Sequence, residues 1–308
     1  MSHRSIFKVA IVGCGRVGMT AAYSIITSGL ATDLVLVGRD KAKLEGEKLD
    51  LEHALPFLPD VNIVATDDYA DLQGTDVVIF AAGAAQEPGE TRLDLAKKNL
   101  ALVDALVPKI LEHAPHTVLL MVTNPVDVLT NRANEISGKY NGRVFGSGTL
   151  LDTARFRFYL SEFLDVNPRS IHTYILGEHG DSSFPALSGA TLGGAKLTEL
   201  PAFSHEKAMQ SFEQARSAAY RIIEGKGATY YAIGTVLTQI VKSIQRDART
   251  VMPVSHPLKD FYGVSDVSLS VPCIIGRRGI EKVMPVQLDE AEIEQLHASA
   301  EAVRAYQQ

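Results

Sequence analysis

The feature that most constrains this chain is an alternation in its first half between short apolar runs and longer segments of helical period. "FKVAIV", "DLVLV", "VNIVA", "DVVIFAA", "TVLLMV" and "GRVFG" follow one another from Phe7 to Gly146. They are continuously apolar and rich in valine and isoleucine, which fits strands covered on both faces and not half-exposed ones. Such strands, each followed by a helix, predict an α/β fold: a doubly wound parallel sheet of the Rossmann kind. Beyond Gly148 the pattern loosens. A helix is expected at "LLDTARFRFYLSEFL", a strand at "SIHTYIL", and long helices near residues 206–224 and 228–247. Strands at "TVMPVS", "VSLSVPCII" and "IEKVMPV" then precede an amphipathic helix from Asp289. We expect a dinucleotide-binding domain over residues 1–148 and an α+β substrate-binding, catalytic domain over 149–308, with a cleft between them.

Charge limits the partners. A net charge of -6 over 308 residues gives no general attraction for nucleic acid or anionic lipid, so an anionic ligand must be held by local groups. No apolar run has spanning length and the N-terminus lacks a signal-peptide pattern, so no membrane association and a cytoplasmic location are expected. Two cysteines, Cys14 and Cys273, suggest neither a disulfide framework nor a metal cluster.

"GCGRVG" follows the first strand and opens a helix. Gly13, Gly15 and Gly18 there permit a tight turn, close approach to a pyrophosphate and close helix packing. The helix start, including Arg16 and Val17, presents amide donors to the phosphates. A dinucleotide such as NAD is the expected cofactor. NAD-binding versions place an acid about twenty residues further on to accept bonds from the ribose. That position is Gly38, followed by Arg39 and Asp40. Either Arg39 pairs with the extra phosphate of NADP, or Asp40 serves the ribose or caps the next helix while Arg39 is solvated.

"GEHGD" places His179 between glycines after an expected strand, where an imidazole suits proton exchange with an alcohol or ketone near neutral pH. "GTLLDTARFR" offers Asp152 as its orienting carboxylate and Arg155, one helical turn on, as a clamp for a substrate carboxylate. Each has a plainer explanation alone: a first-turn acid, a surface ion pair, a satisfied loop histidine. "AAGAAQEPGETRLDL" adds a lone cation, Arg92, on a loop with Pro88 and Gly89; composition alone favours its pairing with Glu90 or Asp94.

Taken in order, "GCGRVG", "AAGAAQEPGETRLDL", "VTNPVDVLT", "GSGTLLDTARFR", "GEHGDSSFP" and "GKGATYYAIG" make the whole chain resemble the L-lactate and malate dehydrogenases. The resemblance implies His179 as acid-base residue, Asp152 as its partner and Arg155 as carboxylate clamp. It implies Arg92 on a lid that closes over substrate, and Asn124, before a cis proline, at substrate or nicotinamide. Thr229 and Ile233 would line the substrate pocket and the nicotinamide face. Lactate-type members carry glutamine where this chain has Gln86, and malate-type members carry arginine there, so pyruvate and lactate are the expected substrates. Glu87 departs from the basic or neutral residue common at its position, and should further disfavour a dicarboxylate. A malate dehydrogenase or broad 2-oxoacid reductase is the alternative. The related NAD-dependent glycosidases use a cysteine-bound metal, and "TNP" carries no cysteine. Arg157 and His172 match two cations with which bacterial lactate-type members bind fructose bisphosphate across a subunit interface, which implies a homotetramer under allosteric control.

Overall fold

The computed structural model describes residues 6–84, 91–138 and 142–306, and of Arg92 the backbone alone. In chain order the strands and helices are β1 (Lys8–Val12), α1 (Arg16–Thr27), β2 (Asp33–Val37), α2 (Lys41–Ala54), β3 (Asn62–Thr66) and β4 (Val77–Phe80). Then come α3 (Arg92–His113), β5 (Val118–Met121), α4 (Val126–Ser137), β6 (Val144–Gly146), α5 (Leu150–Leu164), β7 (Ile171–Leu176), β8 (Phe184–Leu192) and β9 (Ala195–Lys196). The remainder is α6 (His205–Lys226), α7 (Tyr231–Gln245), β10 (Thr250–Pro257), β11 (Ser268–Gly276), β12 (Gly279–Val283) and α8 (Glu290–Arg304). All six apolar runs of the first half are strands, and α5 spans the expected helix from end to end.

The first six strands pair in parallel in the order β3-β2-β1-β4-β5-β6. The order reverses between β1 and β4, and ligands of doubly wound sheets bind beyond the strand ends at such a point. The sheet does not stop at β6. β10 joins it antiparallel through the pair Ser255 and Gly146, and β11 and β12 extend it. A smaller antiparallel sheet, β7-β8-β9, carries His179 just past the end of β7.

Both faces of the main sheet are covered, as the continuous apolar runs require. Along β1, Val9 and Ile11 enter one core with Ile25 of α1 and Ile240 of α7, while Ala10 and Val12 enter the other with Val107 of α3 and Leu129 of α4. Each such aliphatic side chain contributes roughly 1.5–3 kcal/mol by leaving water. A third core, with Phe156, Ile175 and Phe212, seats α5 and α6 on the small sheet. Among the described residues no helix is long and apolar enough to cross a membrane.

Candidate active site

The glycine loop lies at the switch point. Gly13 has φ +103°, and a Cβ there would come within 2.3 Å of the Ala82 nitrogen, so the turns after β1 and β4 touch through backbone alone. A Cβ on Gly18 would meet the Gly13 carbonyl oxygen at 2.2 Å. Gly15, at the N-cap of α1, is different: its missing Cβ faces open space. The helix start has no side-chain cap and no acid in its first turn. Unclaimed amides, the positive end of the helix and room for close approach fit a pyrophosphate. Arg16 is exposed at this start and its Nη1 reaches the corner at Gly227, while Val17 packs against the core.

Gly38 is the first residue past β2, and its N–H donates to the Thr66 carbonyl (3.1 Å). The nearest atoms to a Cβ there belong to the Leu44 side chain, at 3.3–3.5 Å. Arg39 is exposed. Asp40 caps α2 by accepting the Lys43 N–H at 3.0 Å.

The acid-base pair arises from how α5 is fixed to β7. Thr149, Thr153 and Arg157 recur every four residues and so share one helix face. The Thr149 hydroxyl donates to the Ile175 carbonyl (2.6 Å), Thr153 Oγ1 accepts the Ile175 N–H (2.9 Å), and Arg157 donates through Nε and Nη2 to the Thr173 carbonyl (3.0 and 2.8 Å). With the helix locked to the strand, Asp152 and Arg155 are carried to the cleft where β7 delivers His179. One Asp152 oxygen lies 2.6 Å from His179 Nδ1, and the other accepts from Arg155 Nη1 at 3.2 Å. The two cations are thus held by one carboxylate.

Electrostatics follow from this arrangement. The Asp152 charge, helped by its hydrogen bond and by Asp127, overcomes burial and pushes the His179 pKa up to about 9. Burial works against ionised Asp152, but His179 and Arg155 outweigh it and hold the carboxyl below its usual range. The imidazole side chain keeps 27% of its surface open, so the proton it carries remains reachable. A cavity of about 350 Å³ is lined by Asn124, Asp152, Arg155 and His179 on one side and by Arg216 and Tyr220 of α6 on another.

The Asn124–Pro125 bond is cis, and Asn124 faces the cavity. Buried Asn99 holds this turn in place: its amide donates to the Asn124 carbonyl (2.7 Å) and its oxygen accepts the Ala84 N–H (2.8 Å). The His179 loop is held from the C-terminus, where Ser299 of α8 accepts the Glu178 N–H (2.6 Å). Sequence reading missed Asn99 and Ser299, because nothing local marks a residue whose partners lie far along the chain. Thr229, in the connection before α7, and Ile233, in its first turn, do not line this cavity. Ile233 packs against the core beside the contact of α7 with α1, where Gly234 meets Thr20 closely.

Gln86, Glu87 and the loop around them lie outside the described residues. Arg92 begins α3, one turn before Leu95, which lines the cavity. Asp94 is engaged by Thr91, accepting its N–H (3.1 Å) and hydroxyl (2.6 Å) in a capping box. Arg157 is partly buried and stacks over Tyr174, and His172 on the adjoining strand is exposed.

Residues 7–146 match the lactate/malate dehydrogenase NAD binding domain, and residues 149–306 match the alpha/beta C-terminal domain of the same family. The chain is 45% identical over 298 residues to an L-lactate dehydrogenase of Thermoanaerobacterium saccharolyticum, covering 95% of this chain and 96% of that one. It is 46% identical over 304 residues to an L-lactate dehydrogenase of Gloeobacter violaceus, covering 97% and 92%. Among solved structures, a minor L-lactate dehydrogenase from Enterococcus mundtii superposes with a TM-score of 0.95 at 37% identity, covering 98% of each chain.

Proposed function

Because the chain belongs to the lactate/malate dehydrogenase family, we propose that it interconverts pyruvate and L-lactate, with the proton carried by His179 and the substrate carboxylate held by Arg155. The curated relatives named L-lactate dehydrogenase, together with Gln86, favour this over malate or a broad range of 2-oxoacids. The observation that carries the assignment of roles is Asp152, which holds His179 and Arg155 at the wall of one cavity.

A bound reduced nicotinamide cofactor would supply the hydride. Gly13, Gly15, Gly18 and the α1 start, with Arg16 and Val17, would hold its pyrophosphate, and Ile233 and Asn124 would border its nicotinamide. Arg155 binds the pyruvate carboxylate through charge-assisted hydrogen bonds. His179, protonated at neutral pH, donates to the carbonyl oxygen as charge develops there, and Asp152 stabilises the imidazolium beforehand and orients it. Arg92, brought in from the start of α3, adds electrostatic stabilisation to the same oxygen once water is excluded. Thr229 contributes to the pocket in that closed state. In lactate oxidation neutral His179 takes the hydroxyl proton.

NAD is the cofactor, and Gly38 with Arg39 extends use to NADPH, since no carboxylate at position 38 repels a 2′-phosphate. A homotetramer with a fructose bisphosphate site at Arg157 and His172 completes the proposal. Arg157 already serves Thr173, so an effector phosphate must be met by Nη1 or displace those bonds. A cytoplasmic location fits this soluble substrate chemistry.

Initial rates with pyruvate and oxaloacetate, each with NADH and NADPH and with fructose bisphosphate titrated in, test the whole reading. Pyruvate is expected to be strongly preferred. A preference for oxaloacetate sinks the substrate assignment, and a pyruvate midpoint indifferent to fructose bisphosphate removes the effector.

A further inference from the structure

Asp127 is the second residue of α4, in "NPVDVLT". A carboxylate in a first helical turn is ordinarily a surface residue that complements the helix dipole. Here it is 2% exposed. Its two oxygens serve different parts of the chain: Oδ2 accepts the backbone N–H of His179 at 2.7 Å, and Oδ1 accepts the Ser255 hydroxyl at 2.6 Å. Ser255 is the β10 residue paired with Gly146 of β6, where the parallel strands hand over to the antiparallel ones. One buried carboxylate therefore fastens the loop that carries the imidazole to the seam of the main sheet.

A buried charge is costly unless its hydrogen bonds and neighbouring charges compensate. A neutral asparagine could make similar bonds, so the retained charge asks for a reason. Resting on the reading of His179 as proton donor, we propose that Asp127, fixed by Ser255, is a positioning residue that sets where the His179 imidazole stands and helps keep it protonated. The groups that face this pair account for the field. Glu178 and His179 come from the loop, Asp152 and Arg155 stand beyond the imidazole on α5, and Ser255 comes from β10. His256, next on β10, points to the other face by strand alternation, and burial lowers its pKa to about 4, so it is neutral. Burial outweighs the bonds from Ser255 and His179 and raises the Asp127 pKa to about 6. Asp127 is thus ionised across the range in which His179 titrates.

The test follows the His179 imidazole by NMR in cofactor-free protein with 13C-labelled histidine, alongside pH profiles of kcat/KM in both directions. In Asp127→Asn the imidazole midpoint is expected to fall by roughly one pH unit. The high-pH limb of pyruvate reduction and the low-pH limb of lactate oxidation should both move down with it. A merely structural role would lower the plateaus and leave those midpoints in place, and that result overturns the proposal. The unmodified protein gives a second measurement that does not depend on the variant folding. Its imidazole should report a smaller inflection near pH 6 as Asp127 takes up a proton, displaced upward in Ser255→Ala; a single-phase titration in the unmodified protein refutes the coupling. If the imidazole midpoint falls in Asp127→Asn while the pyruvate limb stays put, Asp127 acts as proposed and it is His179 as proton donor that is wrong.

Discussion

At one end of the proposed site the glycine loop offers mainly backbone, with close-packed glycines, an uncapped helix start and no acid in the first helical turn. At the other end Asp152, Arg155 and His179 present charged side chains locked by hydrogen bonds. The two materials fail differently. A backbone site has little side-chain chemistry to lose but is spoiled by an added Cβ. A side-chain site keeps its shape under a conservative substitution and loses its chemistry.

The largest effect expected from this contrast is at the charged end. His179→Asn should lower the turnover of pyruvate on the order of 10²–10⁴-fold, the usual range for removing a general acid. NADH affinity, measured by fluorescence titration, should barely change. Near-normal turnover would place the proton donor elsewhere. At the backbone end, Gly15→Ala should do the reverse. Its Cβ enters open space, so thermal stability should hold, but NADH binding should weaken by about 1–3 kcal/mol through lost close approach. Unchanged NADH affinity would move the pyrophosphate away from Gly15.

The subtlest test lies where the backbone end lacks a charge. The Cβ of Gly38→Asp meets the flexible Leu44 side chain first, so the protein should fold. NADPH efficiency should drop strongly while NADH is unharmed or improved, and Arg39→Ala should weaken NADPH alone, by roughly 1.5–3 kcal/mol. If the unmodified enzyme rejects NADPH outright and Gly38→Asp changes neither cofactor, Asp40 is the ribose ligand. Its Oδ1 already accepts the Lys43 N–H, so the ribose would be met by the other carboxylate oxygen.

What was legible in the sequence divides along physical lines. Parallel strands buried on both faces betray themselves as continuous apolar runs, so β1 to β6 could be read directly, as could α5 with its acid and arginine one turn apart. β8 was missed because "FPALSGATL" contains Pro185, Ser188 and Gly189, turn-like residues whose strand state comes from pairing with β7. The continuation of the main sheet through β10 was equally hidden, since the pair Ser255 and Gly146 joins residues more than a hundred positions apart. Asn99, Ser299 and Asp127 escaped for the same reason: each looks like an ordinary helix residue until its distant partner is seen. Arg157, which composition allows as a solvated helix arginine, gains its anchor at Thr173 only when α5 lies on β7.

The central claim is that charged side chains prepare the proton and that His179 carries it. The direct measurement is kcat/KM against pH for pyruvate reduction and for lactate oxidation by the unmodified enzyme at saturating cofactor. The Asp152 charge raises the imidazole pKa to about 9, so the protonated form is present below that value and lost above it. Pyruvate reduction should therefore hold through neutral pH and fall as pH passes about 9, while lactate oxidation should climb over the same interval and level off above it. Profiles that turn near 6.5, or that do not mirror one another, would contradict the account.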